Sequence, residues 1–217
     1  MIIGLLFVVA GGAVVIADDV TRDSGKALPD VDHSVNSPGS KTTAIVYTPP
    51  VRGAPRTRVG GATRGDNEDA SIVAVVAPDH TGYTGEAQPT LYWYLSRRMT
   101  ARIEVVVIND QEIDPVMETV LDSGAQPGIN RLSLQEHGVT LLPGVLYQWS
   151  VAVVNDPGRR SGDVVASGRI RLVVVPGKLA AELAAAAAYQ RAIIYARAGY
   201  WSDAFDQLSR LIAGNPG

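Results

Sequence analysis

The chain has 217 residues, of which 46% are hydrophobic, and a formal net charge of −3. This length and apolar content are enough for a folded domain with a sizeable core, which excludes disorder of the whole chain. The small negative charge provides no field to gather nucleic acid, and the absence of cysteine excludes disulfides, thiol nucleophiles and cysteine-ligated metals.

An apolar run opens the chain from Ile2 to Ala17 and ends in small residues just before Asp18. A membrane-spanning helix needs about 20 apolar residues. Because this run is shorter, we interpret residues 1–17 as a secretory signal peptide, which predicts a periplasmic or extracellular protein. Two alternatives stay open: an uncleaved inner-membrane anchor, which would be the only membrane contact, and a buried strand or helix.

Residues 18–43 mix Asp, Ser, Gly, Pro and Asn with few large apolar side chains, which predicts a flexible linker. In residues 44–68, prolines force an extended path and arginines alternate with glycines. Glycines let a backbone approach a ligand, and guanidinium groups bind phosphate or carboxylate bidentately. The alternative is an exposed loop whose arginines are solvated or paired with acids. The candidate anion-binding residues of this Arg-Gly loop are Arg52, Arg58, Arg64, Gly60 and Gly61.

Seven short strand patterns, separated by turn residues, lie between residues 69 and 176. This spacing predicts an immunoglobulin-like β-sandwich. Alternation places Tyr147 and Trp149 on one face of their strand and Trp93 on one face of another, so the two indoles are expected between the sheets. The motif LLPGVLYQWSVAV resembles the end of a fibronectin type III domain. The resemblance implies that the Tyr147 hydroxyl bonds back to the preceding turn.

Residues 177–217 are rich in helix formers and have helical periodicity, which predicts two helices joined near Gly199. Since one helical pair cannot bury its own face, this hairpin is expected to pack on the sandwich or on a partner. Tyr92 and Tyr94 face away from Trp93, and burial of both beneath the hairpin is favoured over exposure for stacking on a sugar or peptide. The spacing resembles a single tetratricopeptide repeat at Ala192, Tyr195, Gly199, Ala204, Leu208 and Pro216.

Signatures of catalysis are scarce, since the sequence has no metalloprotease helix motif, no serine-hydrolase elbow and no phosphate-binding lysine loop. Asp79 and His80 are the best acid/base candidates, although a simple turn explains this pair better. We therefore expect no enzyme activity, no cofactor and no metal site.

Five motifs together resemble the bacterial domain-of-unknown-function family 928 over roughly residues 45 to 216: YTPPVRGAPRTRVGGATRG, PDHTGYT, QPTLYWYLS, LYQWSVAVV and AGYWSDAFDQL. The resemblance implies a bacterial, usually exported protein and no assigned reaction. We expect a non-catalytic module for protein–protein interaction or assembly at the cell envelope, with an envelope protein as partner. The first alternative is a module that binds an anionic glycan, phosphate or carboxylate through the Arg-Gly loop, and the second is a hydrolase that uses Asp79 and His80.

Overall fold

The computed structural model describes residues 5–10, 13–18, 45–50, 73–121 and 125–214. Near the start of the chain, β1 (Leu5–Ala10) and β2 (Ala13–Asp18) form an antiparallel pair. Apart from Asp18, the predicted linker lies outside the described residues, and cleavage of a signal peptide stays a prediction. Within the described ranges, every helix is too short or too polar to cross a membrane.

The chain is mainly β, and two further sheets pack face to face to form what we call the β unit. In chain order its strands are β3 (Val73–Val75), β4 (Gly82–Thr84), β5 (Thr90–Leu95), β6 (Arg102–Asn109), β7 (Met117–Leu121), β8 (Gly128–Ser133), β9 (Leu146–Val154) and β10 (Val164–Leu172). One sheet has the order β4-β10-β9-β6-β7 and the other β3-β5-β8. Neighbours are antiparallel except β4 and β10, which are parallel.

All seven strands predicted between residues 69 and 176 are present, and β4 is an additional strand that the sequence does not predict there. This strand has three residues and lies in the segment PDHTGYT, whose composition indicates a turn. Its strand geometry comes from a neighbour distant in sequence, because Gly82 to Thr84 pair with Ile170 to Leu172 of β10. A pairing between segments so far apart leaves no local periodicity to detect.

The core lies between the two sheets and contains both predicted indoles. Trp93 of β5 is 1% exposed and Trp149 of β9 is 3% exposed. They belong to one apolar cluster that also includes Tyr147. The Tyr147 hydroxyl accepts a 3.0 Å hydrogen bond from the backbone N–H of Leu142 in the preceding turn. A β-carbon on Gly168 of β10 would lie 3.2 Å from Nε1 of Trp149, so glycine makes room there for the indole.

Three helices follow the sheets and form what we call the helical unit: α1 (Gly177–Ala185), α2 (Ala188–Ala198) and α3 (Trp201–Gly214). The predicted number of two is wrong, because the first predicted helix is broken where Ala186 and Ala187 are extended, with ψ of 144° and 161°. An alanine run favours helix but carries no side chain that requires it to be continuous. The side-chain oxygen of Gln190 accepts a bond from the Ala187 N–H and caps the new helix. Gly199 ends α2 with φ of 86°, the left-handed conformation expected there.

Helix α3 attaches the helical unit to the β unit. The Tyr92 ring of β5 packs edge-on against Phe205 at 5.0 Å between ring centroids. Tyr92 is 3% exposed, so its predicted burial beneath the helices is confirmed. The same prediction is wrong for Tyr94, which is 40% exposed, because the aromatic contact with α3 is made at Tyr92. The Trp201 indole N–H donates to the backbone oxygen of Val76, next to β3, at 3.3 Å.

Residues 45–50 form an extended segment that packs on the turn between α2 and α3. The apolar residues Ile45, Val46 and Tyr47 predict a short strand. This prediction is wrong, because the segment bonds to a helix end and not to a sheet. The Thr48 N–H donates to the Ala196 oxygen at 3.0 Å. The Tyr47 hydroxyl donates to the Gly199 oxygen at 3.4 Å, and both Ile45 and Tyr47 are buried.

Candidate functional site

A polar cleft of about 260 Å³ lies where the helical unit meets the β unit. Its walls come from the loop between β4 and β5, from α2 and α3, and from the turn that follows β8. The contributing segments are far apart in sequence, so the cleft forms only when α3 packs against β4 and β5. Polar and charged side chains dominate its lining, among them Glu86, Gln135, Tyr195, Asp203, Asp206 and Arg210.

Asp203 is the most deeply buried charged residue of this cleft, with 4% of its surface exposed. It lies in the first turn of α3. Its two carboxylate oxygens accept hydrogen bonds from the Gly85 N–H at 3.0 Å and from the Thr84 hydroxyl at 3.4 Å. Burial raises the pKa of Asp203 to about 7, and the Glu86 charge also raises it, whereas the bonds from Gly85 and Thr84 lower it. Asp203 therefore changes charge near neutral pH.

Tyr195 of α2 lines the same cleft beside these carboxylates. Burial, with smaller contributions from the charges of Asp203 and Glu86, raises the pKa of Tyr195 to about 12. The ring packs edge-on against Tyr200, with 6.1 Å between ring centroids. Tyr195 therefore stays a neutral phenol over the physiological pH range and supplies a hydroxyl group to the cleft.

Asp206 forms the side of the cleft nearest β5 and has charged and neutral partners. One oxygen accepts a 2.8 Å bond from the Tyr92 hydroxyl, and the other pairs with Nε of Arg210 at 2.7 Å. The charges of Asp206 and Arg210 thus largely cancel. Two further arginines lie near this side of the cleft: Arg131 of β8, which pairs in register with Tyr92, and Arg191 of α2, whose Nε donates to the Gln207 side chain at 3.4 Å.

The Asp79 and His80 candidates lie at a different place, where residues 45–50 meet α3. Nδ1 of His80 is 2.9 Å from the Thr81 carbonyl oxygen, which can only accept, so this nitrogen carries a proton. Nε2 is 3.3 Å from the Tyr47 hydroxyl, and the two rings stack with 5.7 Å between centroids. Both ring nitrogens therefore have protein partners, while Asp79 is exposed. Use of this pair in hydrolysis stays a prediction.

Glu104, a carboxylate on β6, is already neutralised by its surroundings. Arg160 donates to both of its oxygens at 3.0 and 2.6 Å, and Arg102 pairs with it at 3.2 Å. The bonds from Arg160 hold the pKa of Glu104 below its usual value. Such a paired carboxylate is a structural feature and a poor acid or base. Within the described part of the chain, no group of three or more acidic or histidine side chains could hold a metal ion.

A second concave surface is the open groove of about 380 Å³ between α1 and α2, which we call the helical groove. In contrast to the cleft, it is lined mainly by aliphatic side chains. Two charged residues, one from each helix, and the polar residue Gln190 complete the lining. The aliphatic and charged residues of the lining are Glu182, Ala185, Ala186, Ile193, Ile194 and Arg197.

The structure describes some of the predicted site residues and not others. Trp93, Tyr147 and Trp149 lie in the core of the β unit. The predicted anion-binding residues of the Arg-Gly loop lie outside the described residues: Arg52, Arg58, Arg64, Gly60 and Gly61. Sequence reasoning missed the cleft and its buried Asp203. The available signal was the pair Ser202-Asp203 at the start of a helix, which by itself indicates only a cap.

Comparisons with known proteins give one match. A family model described as Domain of Unknown Function (DUF928) matches residues 59–217. Among curated proteins and among solved structures, nothing matches this chain. The matched range contains the β unit and the helical unit but begins after residues 45–50.

Proposed function

The chain belongs to the DUF928 family, and we propose that it is a non-catalytic, exported bacterial module for protein–protein interaction or assembly at the cell envelope. The observation that carries this proposal is the helical groove, a mainly aliphatic surface that the packing of the described residues leaves open. Its occupant, in our proposal, is an amphipathic helix of an envelope protein.

The packing of the helical unit explains why this groove is available. Helix α3 faces the β unit, and the buried small residues Ala192 and Ala196 of α2 pack in a cluster with Ile45 and Ala204. The side of α2 that carries Ile194 faces α1 and the groove, where Ile194 is partly exposed. Helical pairs of this kind normally cover such a face with the next repeat. A partner helix can take that place by inserting apolar residues at helical spacing.

The charged residues of the helical groove restrict the kind of partner helix that we expect. Glu182 of α1 and Arg197 of α2 both line the groove and are exposed. A partner helix with an apolar stripe, a basic residue facing Glu182 and an acidic residue facing Arg197 would be complementary. We expect these charges to set the orientation of the helix, and the apolar stripe to supply most of the affinity.

Two finer features belong to the same proposal. We propose that the β unit is an immunoglobulin-like, fibronectin type III-like sandwich, which the bond from the Leu142 N–H to the Tyr147 hydroxyl supports, since such domains carry a corner tyrosine. We also propose export through the apolar run at Ile2 to Ala17. Mass spectrometry of the N-terminus of protein made in its own host tests the export, and an intact Met1 would contradict cleavage.

The experiment for the groove compares two variants that each place one carboxylate on an apolar site. Ile194→Glu puts it in the helical groove, whereas Ile113→Glu puts it on a fully exposed residue between β6 and β7. Each variant and the wild type are expressed at native level in the host and crosslinked. We expect a stoichiometric partner to be recovered with wild type and with Ile113→Glu and to be lost with Ile194→Glu, at unchanged melting temperature. Equal recovery with all three proteins would contradict the proposal.

A further inference from the structure

We propose that the polar cleft binds a small, hydroxylated molecule that carries a protonated amine, with the ammonium group paired to Asp203 and Glu86. This site is separate from the helical groove, lies on another face of α2 and α3, and does not depend on the function proposed above. Three properties of the cleft select such a ligand: its charge, the burial of Asp203, and the size and polarity of the space.

The charge of the cleft is negative once internal pairs are removed. Asp206 and Arg210 form an ion pair at 2.7 Å, so they contribute little net charge. Glu86 and Asp203 remain, and among the described residues neither has a basic side chain within ion-pair distance. Two other arginines lie nearby: Arg191 donates to the Gln207 side chain, and Arg131 is an exposed residue beside Tyr92. The cleft therefore offers two carboxylates to a cation, which favours an amine over an anion or a neutral ligand.

The burial of Asp203 distinguishes this cleft from a solvated acidic surface. Its hydrogen bonds come from the neutral donors of Gly85 and Thr84, which orient the carboxylate but leave its charge without a counter-ion. A buried charge is unfavourable unless an opposite charge or a proton accompanies it. In the empty protein a proton has this role, since burial raises the pKa of Asp203 to about 7. A ligand ammonium group can replace that proton.

The size and the lining of the cleft restrict the rest of the ligand. A volume of about 260 Å³ lies just below the range of roughly 300 to 1,000 Å³ that is usual for drug-sized ligands. The neutral part of the lining is itself polar, with the side chains of Thr90, Gln135 and Ser202 among it. Such groups donate to and accept from hydroxyl groups. An amino sugar or an amino polyol fits this combination better than an alkyl amine.

The test compares a polyol amine with the polyol that lacks the amine. Isothermal titration calorimetry of the purified full chain uses 1-amino-1-deoxysorbitol and sorbitol at a pH of about 8, where Asp203 is ionised. We expect the amine to bind at millimolar concentration or better, and sorbitol to give no heat of binding. Glu86→Gln should weaken amine binding by about tenfold. The matched control, Glu112→Gln, removes an exposed carboxylate between β6 and β7 and should leave it unchanged.

Each remaining outcome contradicts the proposal. It is overturned if the amine and sorbitol bind equally, if inorganic phosphate binds more tightly than the amine, or if the amine gives no heat at all. Equal weakening by Glu86→Gln and Glu112→Gln would show a general charge effect and would also overturn it. The decisive comparison uses Glu86, which is exposed, so it does not depend on a substitution in a buried position. Asp203→Asn serves as a second variant.

Discussion

The hydroxyl group of Tyr92 in β5 donates a 2.8 Å hydrogen bond to the carboxylate of Asp206 in α3. This bond links the middle strand of the three-stranded sheet to the last helix, across the contact that also forms the wall of the polar cleft. The attachment of the helical unit to the β unit therefore depends on a phenol that faces away from the core between the two sheets.

Removing this hydroxyl tests its contribution to stability. Tyr92→Phe keeps the ring contact with Phe205 but loses the bond to a charged acceptor, so we expect the free energy of unfolding to fall by about 1.5 to 3 kcal/mol. Urea unfolding measures the change. Tyr94→Phe is the matched control on the same face of β5, because Tyr94 is 40% exposed; equal effects of the two substitutions would refute the link.

The raised pKa of Asp203 predicts a particular dependence of stability on pH. Asp203 has a folded-state pKa of about 7, above the value of about 3.9 for an unfolded chain. Between these two values the folded state holds a proton that the unfolded state has released. Its contribution is therefore fully present below about pH 4, declines by up to about 1.4 kcal/mol per pH unit as the pH rises towards 7, and then levels off.

Asp203→Asn isolates this contribution from the other titrating groups. The amide resembles the protonated acid, so the variant should lack the decline and should gain stability relative to wild type as the pH rises. Urea unfolding at several values between about pH 5 and pH 8 gives the difference curve. Glu86, Asp206, Tyr195 and Arg210 also face the cleft, and they are common to both proteins. Parallel pH curves for the two proteins would contradict the assignment.

Gly168 on β10 is predicted to be intolerant of a side chain. A β-carbon there would lie 2.8 Å from Cβ of Ala77 and 3.2 Å from Nε1 of Trp149, so Gly168→Ala must displace the indole or the strand. We expect a loss of about 1 to 3 kcal/mol in unfolding free energy and a change in near-ultraviolet circular dichroism from the shifted indole. Gly162→Ala is the control, because nothing lies within 4 Å of its β-carbon position.

The Arg-Gly loop gives a prediction that depends on sequence alone. Replacing Arg52, Arg58 and Arg64 with Ala should abolish the binding of an anion, with inorganic phosphate as the probe, and should leave the melting temperature nearly unchanged. Calorimetric titration measures the binding, and unchanged affinity would remove this alternative function. A control of equal charge replaces exposed arginines of the β unit instead, Arg98, Arg131 and Arg159.

Local sequence patterns predicted the elements whose structure depends on interactions between residues close in sequence. Alternation in the segment around Trp149 identified the core face of β9, and the same argument identified the face of β5 that carries Trp93. Gly199 was predicted as a helix end, because few other residues adopt a positive φ without strain. In each of these cases the determining interactions lie within a few residues of the position concerned.

The features that were missed depend on contacts between distant segments. Strand β4 exists because Gly82 to Thr84 pair with β10, and no periodicity within three residues can indicate it. The break at Ala186 could not be predicted from the sequence, because the run of alanines around it favours helix throughout. The cleft combines Glu86 with Asp203, which are more than a hundred positions apart. Neither residue is unusual until the fold brings the two together.

Residues 45–50 also have a consequence for the order in which the chain can fold. The hydroxyl of Tyr47 bonds to Gly199, which lies 152 positions later. At a synthesis rate of roughly 5 to 20 residues per second, these two groups leave the ribosome about 8 to 30 s apart. During that interval the aromatic face of Tyr47 and the outer face of β5 have no helices to cover them. Nascent or prematurely terminated chains that end before α2 should therefore depend on chaperones far more than the finished protein does.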